Sequence, residues 1–400
     1  MDLVAGTPVW VVRNGPGPTW PPLARSARCD VAVIGGGITG AAAADALAAA
    51  GLDVMVLDRR EIGTGSTAAS TGLLQYDLDT TLTDLARRVG EAAAVRCYRL
   101  CAEAVERIAV LARRFPGGCG HRRRQGLCGA TRPRDVPGLR AEYELQRRHG
   151  FAVAWWDRRR VAAESTLPFH AAIVTRPAAE IDAHRLARHL LEAAAQRGAR
   201  IHARTTVLRY AATRRGVVLH TAEGPVVRAR RLVIAAGYEA DAFLGLRATD
   251  LLTTFAIASE PLDRFPGWPG RRLIWETARP YHYLRTTADG RAIIGGGDVP
   301  FVPAAAQAAL LPEKSRQLRR QFRRWFPEIR FTTACAWSGT FATTRDGLPF
   351  IGAHPDYAHA WFALGYGGNG ILFAVIAAGI IRDLCRGRPA ADAALFRFGR

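Results

Sequence analysis

The feature that most constrains this chain is Gly35-x-Gly37-x-x-Gly40, set between the β-branched run CDVAVI and the strong helix former ITGAAAADALAAA. Gly51 stops that helix ahead of a second apolar run, DVMVLD, so residues 29–58 read as strand, turn, helix, strand: one βαβ unit. Each glycine meets a separate physical demand. Gly35 makes the tight turn, Gly37 lets a pyrophosphate approach the backbone, and Gly40 lets the helix pack on the strand. Ile38 and Thr39 open the helix, whose first N–H groups face the phosphates. Asp58 closes the second strand 23 residues beyond Gly35, near the spacing at which a carboxylate accepts ribose hydroxyls. In a chain with 40 glycines the motif alone is weak, and a fortuitous turn is the bland alternative. The flanking strands, Ala44, Gly51 and Asp58 all agree with a dinucleotide site.

The motif does not choose between FAD and NAD, but two other stretches favour FAD. Residues 63–72, GTGSTAASTG, form a small polar loop after the second strand whose backbone could lie along an extended cofactor. Gly365-Tyr366-Gly367-Gly368-Asn369-Gly370 opens the last helix, and a helix start there stabilises the negative charge of a reduced flavin near N1 and O2.

Four hundred residues, 49% of them apolar, suffice for two or three domains with a large core. The longest apolar run, Ile371 to Ile381, is shorter than the roughly 18–20 residues that cross a bilayer and reads as a buried helix, so no membrane span is expected. With no basic leader before an apolar stretch, the expected residence is cytoplasmic. The seven cysteines show no Cys-x-x-Cys pair and no metal-type spacing, so free thiols and no metal site are expected. The net charge of +20 is carried almost wholly by arginine: residues 113–160 contribute +9 and residues 314–330 contribute +6. A basic face can attract anionic partners, although arginine-rich faces are more often simply solvated.

Further along, the pattern predicts a long helix from Thr81 to Phe115, a hard-to-assign crossing at 116–150, a helix over AEIDAHRLARHLLEAAAQ, and then short strands. An amphipathic helix is expected at 313–326, with Leu318, Phe322 and Trp325 inward.

DVAVIGGGITG…GLDVMVLDRR, EIDAHRLARHL…TTVLRY, RRLVIAAG, WSGTFATTRDGLPFIG and the final GYGGNG resemble, in order, the blocks of the D-amino-acid-oxidase-like FAD oxidoreductases, which include glycine oxidase, sarcosine oxidase and γ-glutamylputrescine oxidase. The resemblance spans about residues 8–400. It implies an α/β fold: a Rossmann-like FAD-binding domain (29–115 with 180–245 and 335–390) and a substrate domain of largely antiparallel β-sheet plus helices (116–179 with 246–334), after an N-terminal extension, 1–28. It also implies that Val207 presents its backbone to the adenine and that Ala236 and Gly237 pass under the ADP. Arg59 would follow Asp58 at the ribose; Gly65, Ser66, Ser70 and Thr71 would run toward the isoalloxazine, with Gly367, Gly368, Asn369, Gly370 and Ile371 at its far end.

Two departures narrow that reading. Where amino-acid oxidases of the family place an arginine for the substrate carboxylate, this chain aligns Phe341; Arg285 or Arg291 could supply the cation from another strand. Gly339 aligns with the family's flavin-attachment cysteine, and Cys335 lies four residues earlier, so the FAD is expected to be non-covalent. Lys314, the sole lysine, is not expected to reach the flavin as an oxygen-activating group. Tyr281, Tyr283, Arg285 and Phe341 are the candidate catalytic residues, with Trp275, Gln75 and Tyr76 as further pocket candidates. His282 alternates with the tyrosines and is expected on the opposite face.

The expected function is oxidation of the C–N bond of an amine or amino acid by hydride transfer to flavin N5, giving an imine that water hydrolyses. Oxygen or another acceptor would take up the electrons. The alternative is an FAD-dependent tRNA-modifying or RNA-binding protein that uses the basic stretches, but no aromatic-interleaved platform supports it and a nucleic-acid partner is not expected.

Overall fold

The computed structural model describes residues 3–15, 17–240 and 249–400. The expected boundary at 245 falls outside them. The chain divides into two compact units, one of residues 1–13, 71–182 and 252–340, the other of residues 14–70, 183–251 and 341–400.

The second of these holds an eight-stranded sheet among the described residues. Its strands, numbered along the chain, are β1 (Ala27–Ile34), β2 (Val54–Leu57), β7 (Arg200–His202), β8 (Val207–Thr213), β9 (Gly216–Thr221), β10 (Val226–Ile234), β16 (Phe350–Ala353) and β17 (Ala360–Leu364). The order is β16-β17-β10-β1-β2-β7, with β9 on β10 and β8 on β9. The pairs β1–β2, β1–β10, β10–β17 and β2–β7 are parallel. The helix Ile38–Ala49 packs between Ala183–Gln196 and Gly370–Cys385. Burial on so many sides explains its run of alanines, Ala41 to Ala44, all inaccessible: small side chains let neighbouring helices approach closely. The helix Gly370–Cys385 buries Ile371 to Ala378, Ile380 and Ile381, as the apolar run predicts. The stretch Gly367–Cys385 passes the length and hydropathy test for a membrane span, and 61% of that window is buried in the protein.

The other unit is built on a nine-stranded sheet among the described residues, in the order β15-β11-β14-β13-β12-β4-β6-β3 with β5 on β6. The strands are β3 (Leu73–Gln75), β4 (Arg122–Gly129), β5 (Ala152–Asp157), β6 (Ala171–Glu180), β11 (Asp250–Ser259), β12 (Leu273–Glu276), β13 (His282–Thr286), β14 (Ala292–Pro300) and β15 (Thr333–Thr343). The pairs β11–β14, β14–β13, β13–β12, β4–β6, β6–β3 and β5–β6 are antiparallel, and β12–β4 is parallel. The helix Ala304–Trp325 contributes Leu318, Phe322 and Trp325 to a core with Trp156, Phe169, Phe255 and Trp268. It starts nine residues earlier than the sequence pattern suggests and carries Pro312 inside.

Three sequence expectations shift. The helix expected from Thr81 to Phe115 is two, Leu82–Val89 and Glu91–Arg113, because Gly90 adopts φ 88°. Residues 71–115 belong with the nine-stranded sheet, because Leu73–Gln75 pairs antiparallel with β6 and the helix Glu91–Arg113 packs on β6. The expected N-terminal extension is divided: Gly6 bridges Trp337 and the Thr340 hydroxyl donates to the Leu3 carbonyl in one unit, whereas the Leu23 N–H donates to Thr205 Oγ1 in the other.

Candidate functional site

In the eight-stranded unit, β1 ends at Ile34 and the chain turns at Gly35, whose φ of 105° is open to glycine but strained for other residues. A Cβ on Gly40 would lie 1.8 Å from the Gly35 carbonyl oxygen, so the helix start touches the turn backbone directly. Asp58 holds this turn from the end of β2. Its Oδ2 accepts the Gly36 N–H at 2.6 Å, and its Oδ1 accepts the Arg60 N–H at 2.7 Å. Burial pushes its carboxyl above the usual range, opposed by these two backbone N–H groups. Thr67 Oγ1 accepts the Ile38 N–H at 2.9 Å, tying the 63–72 loop to the helix start.

Arg59 and Arg60 both pair with Glu239, Arg60 at 2.8 Å, and so fasten the end of β2 to the turn Gly237–Glu239 after β10. Ala236 stands beside the glycine loop, its Cα 3.3 Å from where a Cβ on Gly35 would be. Gly237 has φ 60° and open space where a Cβ would be. Val207 is buried at the start of β8, where the β8–β9 register shifts. The turn Gly367–Asn369 runs into the helix beginning at Gly370, with Asn369 and Ile371 buried. Thr67 and Glu239 were not singled out by sequence reasoning; the Thr67 signal was its place in the small polar run, and Glu239 carried none.

The residues present fit an extended dinucleotide. The Cβ positions of Gly65 and Gly237 are open, and the Ser66 hydroxyl is buried without a hydrogen-bond partner. Such a group normally finds one, and a bound polar ligand would supply it.

The nine-stranded unit carries the tyrosines. Tyr281 and Tyr283 lie with ring centroids 5.7 Å apart, clustered with Leu273, Trp275 and Ala178. The Tyr281 hydroxyl donates to Asp79 Oδ1 at 3.0 Å, and that of Tyr283 lies 3.4 Å from Thr254 Oγ1. A Cβ at Gly295 would meet the Tyr283 ring at 2.5 Å, so that glycine is what lets the ring lie across β14. Burial holds both phenols well above the ordinary tyrosine range. His282 faces the other way, with Nδ1 2.5 Å from Glu276 Oε1 and its ring edge-on to Trp325.

Arg285 is already engaged by the backbone. It is 1% exposed, and its guanidinium donates to the carbonyls of Thr286, Thr71, Gly72 and Ile181 at 2.6 to 3.1 Å. Its position on β13, two residues from Tyr283, suggests the pocket, but the carbonyls that converge on it come from distant segments. Thr71 thus serves this clamp in the nine-stranded unit, whereas Ser70 ends the other unit's segment. Arg291 is likewise engaged, with Asp289 Oδ2 at 3.1 Å and the Ser259 carbonyl at 2.9 Å. Tyr76 is fully buried and donates to Gln146, away from any pocket role; Gln75 is half-buried on β3. Phe341 is half-buried on β15. Lys314 donates to the Gly297 carbonyl at 2.7 Å. Among the described residues all seven cysteines are unpaired thiols, and no His, Cys, Asp and Glu grouping suits a metal.

A Rossmann-type sheet with a dinucleotide cradle, followed in the chain by segments of a large antiparallel sheet, defines a two-unit flavoprotein oxidoreductase. The chain belongs to the FAD dependent oxidoreductase family (DAO), whose model matches residues 30–384. It is an FAD-dependent enzyme. It is 27% identical over 385 residues to gamma-glutamylputrescine oxidoreductase of Escherichia coli, covering 91% of this chain and 85% of that protein. It is also 27% identical over 392 residues to glycine oxidase of Geobacillus kaustophilus, covering 93% and 97%. The crystal structure of glycine oxidase from Geobacillus kaustophilus superposes with TM-score 0.80 at 24% identity over 93% of this chain and 99% of that one. L-proline dehydrogenase from P. horikoshii gives 0.75 at 20% over 94% and 97%.

Proposed function

We propose that this oxidoreductase acts on the C–N bond of a primary or N-substituted amine without a carboxylate at the oxidised carbon. The supporting observation is that Arg285, 1% exposed, already donates through Nε and one terminal nitrogen to four backbone carbonyls. A buried carboxylate without a paired cation is costly, and Arg291 is held by Asp289 and Ser259 while Phe341 stands at the family's position for that arginine. Among the relatives, the Escherichia coli protein is named for an amine and the Geobacillus one for an amino acid; the engagement of the arginines favours the former.

FAD, held without a covalent bond, supplies the hydride acceptor when bound. The chain's own part is to bind and orient. Tyr281 and Tyr283 stay neutral phenols across the physiological range, so they position an amine by ring contact and hydrogen bonding and do not serve as bases. Holding the neutral amine in one orientation supplies much of the rate, and water hydrolyses the released imine. Oxygen or another acceptor then takes the electrons.

Stopped-flow flavin reduction by glycine, sarcosine, D-alanine and D-proline against a panel of mono- and polyamines tests this reading. Bleaching by the amines is expected. Efficient bleaching by the amino acids alone would return the protein to the amino-acid oxidases.

A further inference from the structure

Resting on that reading, we infer that Asp298 receives a second, cationic group of the substrate, so that the preferred amines carry an ammonium at their far end. Asp298 lies on β14 just beyond Gly296 and Gly297, whose φ values of 130° and 69° bend the strand where a Cβ on Gly296 would meet the Tyr281 carbonyl at 2.2 Å. The bend sets Asp298 beside the tyrosines, and its charge acts on both phenols. Its Oδ1 is buried and has no hydrogen-bond partner.

Thr254 hydrogen-bonds the Asp298 side chain and lies 3.4 Å from the Tyr283 hydroxyl, and the Tyr281 hydroxyl donates to Asp79. Of the neighbouring cations, His282 is held by Glu276 and Lys314 by the Gly297 carbonyl, while Arg279, bonded to the carbonyls of Glu276, Ala278 and Asp79, lies over the Tyr281 ring at 4.8 Å from its centroid. What Asp298 Oδ1 lacks is a donor. An alkylammonium brings three N–H donors and a positive charge, which Oδ1 and the Tyr283 ring can receive. A neutral or anionic far end would leave Oδ1 buried and unsatisfied.

The test uses the FAD-loaded full chain with 1,4-diaminobutane, N-acetyl-1,4-diaminobutane and n-butylamine, reading the concentration dependence of anaerobic flavin reduction. The diamine should bind about 10-fold or more tighter than the other two, the scale of a hydrogen bond to a charged group. Asp298→Asn should pull that ratio toward one. Equal binding of all three by the wild-type protein overturns the proposal while leaving amine oxidation standing, and needs no folded variant. A preference that survives Asp298→Asn overturns it as well. Bleaching by amino acids alone overturns both readings.

Discussion

Asp58 Oδ2 accepts the Gly36 N–H at 2.6 Å across 22 residues of sequence, so the carboxylate that closes β2 also holds the glycine turn after β1. The side chain thus organises the loop as well as standing where ribose hydroxyls are expected. Asp58→Ala should weaken FAD binding by about 1.5–3 kcal/mol, the scale of a hydrogen bond to a charged group. Fluorescence titration of apoprotein with FAD measures it. Unchanged affinity would show that the turn is held without Asp58 and that the ribose is bound elsewhere.

Gly40 and Gly65 separate folding from cofactor contact. Gly40→Ala drives a Cβ into the Gly35 carbonyl and should lower the melting temperature and leave largely apoprotein. Gly65 has open space at its Cβ position. Gly65→Val should melt like wild type as apoprotein yet bind FAD more weakly if the cofactor fills that space. Equal FAD affinity would exclude Gly65 from the cradle.

Arg285→Met should act on stability. Four carbonyls lose a donor, although that of Gly72 keeps the Ile181 N–H, and at about 1–3 kcal/mol for each buried group left unsatisfied a loss of ~2 kcal/mol or more is expected. Urea unfolding reads that loss. A shift in preference between amines and amino acids at unchanged stability would instead return Arg285 to the substrate.

Asp77 makes stability depend on pH. It is fully buried, accepting from Gln146 Nε2 and Thr175 Oγ1 at 2.9 Å each, and burial pushes its carboxyl up to about 6. The unfolded value is ~3.9, so the folded state favours the neutral acid. Its contribution is complete below about pH 4 and is lost as pH rises through 6, a change of about 3 kcal/mol. Unfolding free energies of wild type and Asp77→Asn at pH 4.5 and 7.5 should therefore differ in slope, wild type losing more toward pH 7.5. Parallel slopes would contradict the shift.

Acid precipitation should release FAD into the supernatant if, as the family resemblance implies, Gly339 stands where the attachment cysteine would be. Flavin retained in the pellet would disprove non-covalent binding.

The glycine turn and the strands and helix around it were legible because their logic is local. Gly35, Gly37, Gly40 and Asp58 lie within one βαβ unit, where turn geometry, helix packing and strand ending each demand a residue type at a set spacing. Period-two alternation likewise sent His282 away from Tyr281 and Tyr283, and the apolar run Ile371–Ile381 read correctly as a buried helix.

Tertiary structure decided what depends on partners far apart in the chain. Arg285 reads as a pocket cation by its strand, yet its carbonyl partners Thr71, Gly72 and Ile181 lie 214, 213 and 104 residues away, and no spacing rule reaches that far. Glu239 at Arg60, 179 residues distant, and the grouping of 71–115 with the nine-stranded sheet follow the same principle. A backbone turn is specified by the few residues that make it, whereas hydrogen bonding and burial of a side chain depend on whichever strands folding brings against it.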